Sequence, residues 1–160
     1  MIAVALPDLA ATDRLAQAIA PLLVERDVLE LVGDIGAGKT TFVTAFARAL
    51  GATEPVRSPT FTVAHDYELA GGGRLAHLDC YRQRGEIDEA AWGDLEPHFE
   101  RGIACIEWPE PIRPWLTDRR TWRLELGAVS LDARVARIAM PGAAADPSIL
   151  RALLTSLAGA

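Results

Sequence analysis

Val28-Leu29-Glu30-Leu31-Val32-Gly33-Asp34-Ile35-Gly36-Ala37-Gly38-Lys39-Thr40-Thr41 is a short apolar run of strand length that enters a complete G-x-x-x-x-G-K-[ST] loop without a break. The residues after it, through Leu50, have helical spacing, with Phe42, Val43 and Phe46 apolar and Gly51 at the stop. Strand, glycine loop and helix in that order predict a phosphate-binding site. Backbone N–H groups from Gly36, Ala37, Gly38, Lys39, Thr40 and Thr41 would point at phosphates, helped by the dipole of the following helix. Fifteen of the sixteen basic residues are arginine, and Lys39 is the single lysine. Arginine supplies charge on any solvated surface, whereas a compact ammonium that reaches between β- and γ-phosphates is a lysine property.

Around this loop the pattern predicts one α/β domain spanning residues 1–160. Its fold is a P-loop NTPase-like three-layer arrangement with a mixed, mainly parallel sheet and antiparallel edge strands. Residues 2–6 read as a strand, and Thr12 as the cap of a helix from Asp13 towards Leu23. Residues 60–69 and 74–79 read as a hairpin about Gly71-Gly72-Gly73. A helix interrupted near Gly93 and Pro97 covers 86–101, Ile103 to Ile106 form a buried parallel strand, and 121–126 with 134–140 form paired edge strands. Residues 147–157 read as a closing helix.

Composition narrows the function. A net charge of −6 argues against a protein that coats nucleic acid by itself. Arg113, Arg119, Arg120 and Arg123 form a local basic run that reads as a solvated face rather than a nucleic-acid site. Cys80 and Cys105 lie in or beside apolar runs without metal or redox spacing, as reduced core thiols do. The start has no basic region and no apolar run approaches the ~20 residues of a membrane span, so a soluble, cytoplasmic protein is expected.

A nucleotide site also needs an acid at the end of a neighbouring strand. Asp79 follows Leu75-Ala76-His77-Leu78, and Glu107 follows Ile103 to Ile106. Either can hold Mg²⁺ with the Thr40 hydroxyl while the other orients or deprotonates the attacking water. His77 by itself reads as a satisfied strand histidine. Tyr81 and Arg82 fall close enough to reach the phosphates, and Ser58-Pro59-Thr60-Phe61 occupies the place of a segment that senses the γ-phosphate. The guanine-reading N-K-x-D element needs a second lysine, so adenine is favoured.

Taken in order, Gly-Asp-Ile-Gly-Ala-Gly-Lys-Thr-Thr at 33–41, Ser-Pro-Thr-Phe at 58–61, His77-x-Asp79-x-Tyr81-Arg82 and Ile106-Glu107-Trp108-Pro109-Glu110 resemble the bacterial TsaE (formerly YjeE) family. The resemblance implies an Mg²⁺-dependent ATPase that supports formation of N6-threonylcarbamoyladenosine on tRNA, at the adenosine beside the anticodon. It would work with the TsaB and TsaD proteins and meet tRNA only through them. It implies Lys39, Asp79 and Glu107 as catalytic residues, and Thr40 and Glu107 as Mg²⁺ ligands. Gly36 to Thr41 become the ATP cradle, Trp108 a neighbour of the site, and Thr12 and Arg134 further nucleotide contacts. The alternative is a small-molecule P-loop kinase, which shares the loop, the acid and the arginines. A nucleotide sensor that recruits a partner by shape alone is a third reading.

Overall fold

The computed structural model describes residues 1–57, 64–142 and 147–158. Seven strands form one sheet: β1 (Ile2–Leu6), β2 (Val28–Val32), β3 (Ala64–Glu68), β4 (Arg74–Asp79), β5 (Ile103–Glu107), β6 (Thr121–Ala128) and β7 (Arg134–Ala139). Their order is β1-β7-β6-β2-β5-β4-β3. The four central strands β6, β2, β5 and β4 pair in parallel, while β3–β4, β6–β7 and β1–β7 pair antiparallel. The expected mixed sheet is therefore present, with the parallel strands at its centre.

Two cores sandwich the sheet. On one side Leu29 and Leu31 of β2, Cys105 of β5, and Trp122, Leu124 and Leu126 of β6 pack with helices α1 (Leu9–Ile19) and α2 (Lys39–Leu50). The last helix, α5 (Pro147–Ala158), lies against α1 and contributes buried Leu150. On the other side Val28, Ala76, Leu78, Ala104 and Ile106 meet α3 (Glu89–Leu95), α4 (Pro97–Glu100) and a 3₁₀ turn at Arg113–Leu116. Trp92 ties that layer together, with ring centroids 5.2 Å from Phe99 and 5.6 Å from Trp115. Each fully buried leucine or aromatic contributes roughly 1.5–3 kcal/mol, so loss of either layer would unfold the sheet between them.

Three expectations change. Helix α1 starts earlier than Thr12: Asp8 is its cap, in extended conformation, with its carboxylate accepting from Ala11 N at 2.7 Å. Thr12 is buried inside the helix, with its hydroxyl turned back to the Asp8 carbonyl. Aspartate is as strong a cap as threonine, and Ala10-Ala11 readily extend the helix to reach it. Strands β6 and β7 pair as expected but are not at the edge, which belongs to β1 and β3. The 86–101 helix breaks at Glu96-Pro97, while Gly93 sits inside α3. The Ser58 to Phe61 segment lies outside the described residues.

The arginine run pairs with acids, two of which, Glu30 and Asp27, are buried. Arg113 grips Glu30 of β2 through Nε and one terminal nitrogen, each at 3.1 Å, and the hydrogen bond to Glu30 holds its guanidinium above the usual range. Arg123 lies 3.8 Å from the same carboxylate, Arg120 pairs with buried Asp27, and Arg119 binds the Phe99 carbonyl and Glu100. A buried carboxylate is tolerated only when paired in this way.

Gly102, at φ +86 before β5, admits no side chain: a Cβ there would run into the Arg74 carbonyl of the neighbouring strand. Gly102→Ala is expected to cost about 3 kcal/mol and to lower Tm by roughly 6–12 °C in scanning calorimetry.

Candidate functional site

Parallel pairing brings three chain segments to one end of the sheet. The glycine loop leaves the carboxyl end of β2, and register places Leu31 beside Glu107 and Glu107 beside Asp79, the last residues of β5 and β4. Ligands of open α/β sheets bind outside these carboxyl ends. Gly38, at φ +99, turns the chain into α2, and a Cβ added to it would meet nothing within 4 Å. The glycine is thus required by backbone conformation, and the space above the loop stays open for a ligand.

A cavity of about 360 Å³ lies there, lined by Gly36, Gly38, Lys39, Thr40, Asp79 and Glu107, with Tyr81 and Trp108 as aromatic walls. The Thr40 hydroxyl donates to Glu107 Oε1 at 2.8 Å, joining the start of α2 to the end of β5. Asp79 Oδ1 accepts from the Tyr81 backbone N–H at 3.0 Å. Arg82 is exposed on the turn that follows. Lys39 is buried; its Nζ donates to the carbonyls of Gly33 at 2.8 Å and Asp34 at 3.0 Å and lies 4.0 Å from the Trp108 ring centre. Burial lowers the pKa of this ammonium, and Glu107 and Asp79 push it back up. Trp108 adopts a left-handed backbone, φ +57, and packs its ring 5.1 Å from that of Tyr81.

A second cavity, about 580 Å³, shares Gly38 and Thr41 with the first. Thr12 and Arg134 both line it, together with Ala37, Asp132 and the exposed apolar Leu9 and Leu131. The Arg134 guanidinium is held by the carbonyls of Ser130, Leu131 and Ala133 and reaches the Gly36 carbonyl at 3.3 Å. It clasps the β6–β7 turn to the glycine loop. Leu131 and Asp132 were missed because only the folded hairpin brings residues 131–134 to the loop, and Leu9 because it precedes the expected helix start at Asp13. His77, read as a strand histidine, is fully buried in β4, with Nε2 3.1 Å from Glu107 Oε1.

The donor set fits a magnesium-bound nucleotide. No cluster of three or more His, Cys, Asp and Glu suited to a metal occurs among the described residues. Magnesium bound with a nucleotide needs none, since one or two carboxylates with phosphates and water suffice. Thr40 and Glu107 supply hard oxygen, and the loop supplies amides.

A glycine loop at the carboxyl end of the central parallel strand, under a sheet flanked by helices on both faces, defines a P-loop NTPase-like α/β protein. A family model, "TsaE: Threonylcarbamoyl adenosine biosynthesis protein TsaE", matches residues 6–136. The tRNA threonylcarbamoyladenosine biosynthesis protein TsaE of Synechocystis sp. is 42% identical over 112 residues, 67% of this chain and 69% of the relative. That of Streptomyces coelicolor is 34% identical over 143 residues, 85% and 97% of the two chains. The crystal structure of Bacillus subtilis YdiB superposes with a TM-score of 0.68 at 26% identity, covering 99% of this chain and 94% of the other. The chain belongs to the TsaE family of tRNA threonylcarbamoyladenosine biosynthesis proteins. No helix among the described residues is long and apolar enough to cross a membrane.

Cys80 and Cys105 are free and buried, as expected of core thiols. Burial, with Asp79 and Glu110 nearby, pushes the Cys80 thiol up to about 12, and burial raises Cys105 well above its ordinary value. The folded state therefore favours the neutral thiols, and this contribution is lost as pH rises from about 9 towards 12. At pH 8 iodoacetamide should label neither cysteine of the native protein and both after urea unfolding, as read by intact mass.

Proposed function

We propose that the chain is a Mg²⁺-dependent ATPase acting in the cytoplasm to support N6-threonylcarbamoyladenosine formation beside the anticodon. TsaB and TsaD are its partners, and tRNA is met only through them. The observation that carries this reading is the Thr40–Glu107 hydrogen bond at 2.8 Å beneath the glycine loop, with Lys39 and Asp79 in the same cavity. Family membership supplies the biosynthetic setting. The pairing of Arg113, Arg119, Arg120 and Arg123 with acids supports an indirect contact with tRNA.

In this reading the amides of Gly36 and of Gly38 to Thr41 receive the phosphates, while that of Ala37 donates to the Asp34 carbonyl within the loop. Lys39 exchanges the carbonyls of Gly33 and Asp34 for phosphate oxygens, a move of one flexible side chain. Thr40 keeps its proton on Glu107 and turns its lone pairs to the metal. Magnesium held by Thr40 and Glu107 would supply charge neutralisation at the phosphates. Asp79, fixed by the Tyr81 amide through one oxygen, uses the other to orient the attacking water. The second cavity takes the nucleoside, with Leu9 and Leu131 as apolar walls beside Thr12. Arg134 acts there by holding the wall in place.

The test is phosphate release from Mg·ATP, alone and with TsaB plus TsaD. Activity should appear or rise with the partners, and Lys39→Ala should lower it by about 100-fold or more. Turnover indifferent to TsaB and TsaD, with phosphate delivered to a small acceptor, would replace this reading with the kinase.

A further inference from the structure

We infer that His77 is a positioning residue that sets the Glu107 carboxylate for magnesium before the nucleotide arrives. The inference rests on the proposed nucleotide site and adds a residue to it. His77 lies in the apolar run Leu75-Ala76-His77-Leu78 of β4, and its side chain is fully buried. Parallel pairing sets it opposite Cys105, two residues before Glu107, on the sheet face that also carries the loop. Its Nε2 is 3.1 Å from Glu107 Oε1, and its Nδ1 has no hydrogen-bond partner among the described residues.

These two facts fix the proton. An ionised carboxylate only accepts, so Nε2 must donate to it. A hydrogen on Nδ1 would be a buried donor with nothing to meet, which is rarer in folded proteins than an unmet acceptor. The ring is therefore the Nε2–H tautomer, and it donates to the same oxygen that accepts from Thr40 at 2.8 Å. Two donors from different elements, β4 and α2, stop rotation of a side chain with three free torsions. Both fall on Oε1, which leaves Oε2 as the oxygen available to the metal. With Thr40 alone the carboxylate would hang from a hydroxyl that the metal also needs. Partners of this outer kind typically change metal affinity or activity by about 10–100-fold, and that role accounts for an imidazole in an otherwise apolar strand.

Calorimetric titration of the full chain with ADP, with and without Mg²⁺, tests this without turnover. The wild type should bind ADP more tightly with Mg²⁺; if it does not, the nucleotide-site reading fails and this inference with it. Given that enhancement, His77→Leu should leave Mg²⁺-free ADP affinity within about 3-fold and cut the Mg²⁺ enhancement by about 10-fold or more. His77→Gln, whose amide nitrogen can reach the place of Nε2, should restore most of it. A full enhancement in His77→Leu, equal losses with and without Mg²⁺, or no recovery in His77→Gln overturns the inference. Should His77→Leu not fold, nitrogen NMR of the wild-type ring decides: a proton on Nε2 supports the assignment and a proton on Nδ1 overturns it.

Discussion

Parallel pairing of β5 with β2 on one side and β4 on the other is the constraint from which the site follows. In a parallel sheet all carboxyl ends lie at one edge, so a loop that leaves β2 there meets whatever residues end β5 and β4. Those residues are Glu107 and Asp79. The pleat then sorts side chains: His77, Asp79 and Glu107 lie on the face shared with α2, while Ala76, Leu78 and Ile106 fill the opposite core. One strand order thus fixes both the acids of the site and the packing that holds them. A register slip of one residue would exchange the two sets and lose both.

The other face of β2 carries a different burden. Its Glu30 is buried and covered by Arg113 from the 3₁₀ turn after β5 and Arg123 from β6, while buried Asp27, just before β2, meets Arg120, just before β6. Removing a single partner would leave charge in a poorly solvated place, so these pairs bind the second layer to the central strand more specifically than apolar contacts do. That places most of the short basic run in the architecture of the protein.

Much of this was legible in the sequence because the relevant signals are local. Glycine spacing, one lysine, and acids that close short apolar runs describe the loop and both strand ends without knowledge of their neighbours. What was missed depends on contacts distant in sequence. Alternation in β6 and β7 reports one wet face, and it suggested edge strands; the wet face arises because the sheet's second side meets solvent at Ala3, Ala5 and Arg137. The ion pairs of the arginine run with Glu30 could not be read because Glu30 lies more than eighty residues away in the chain. His77 needed the β4–β5 register to find Glu107, and Leu131 and Asp132 needed the hairpin to fold over the loop. Thr12 was misread as a cap for a local reason, since Asp8, four residues earlier, is an equally good one.

Lys39 is the one ε-amine in the sequence, and the fold keeps it at the bottom of the loop between two carbonyls and an indole ring. The side-chain amine chemistry of this chain is therefore confined to its phosphate-binding loop. Lysine-directed modifying enzymes find no other lysine side chain, and the arginines that carry the rest of the positive charge are not their substrates. The same composition makes any change at the lysine side chain a direct report on the state of the loop.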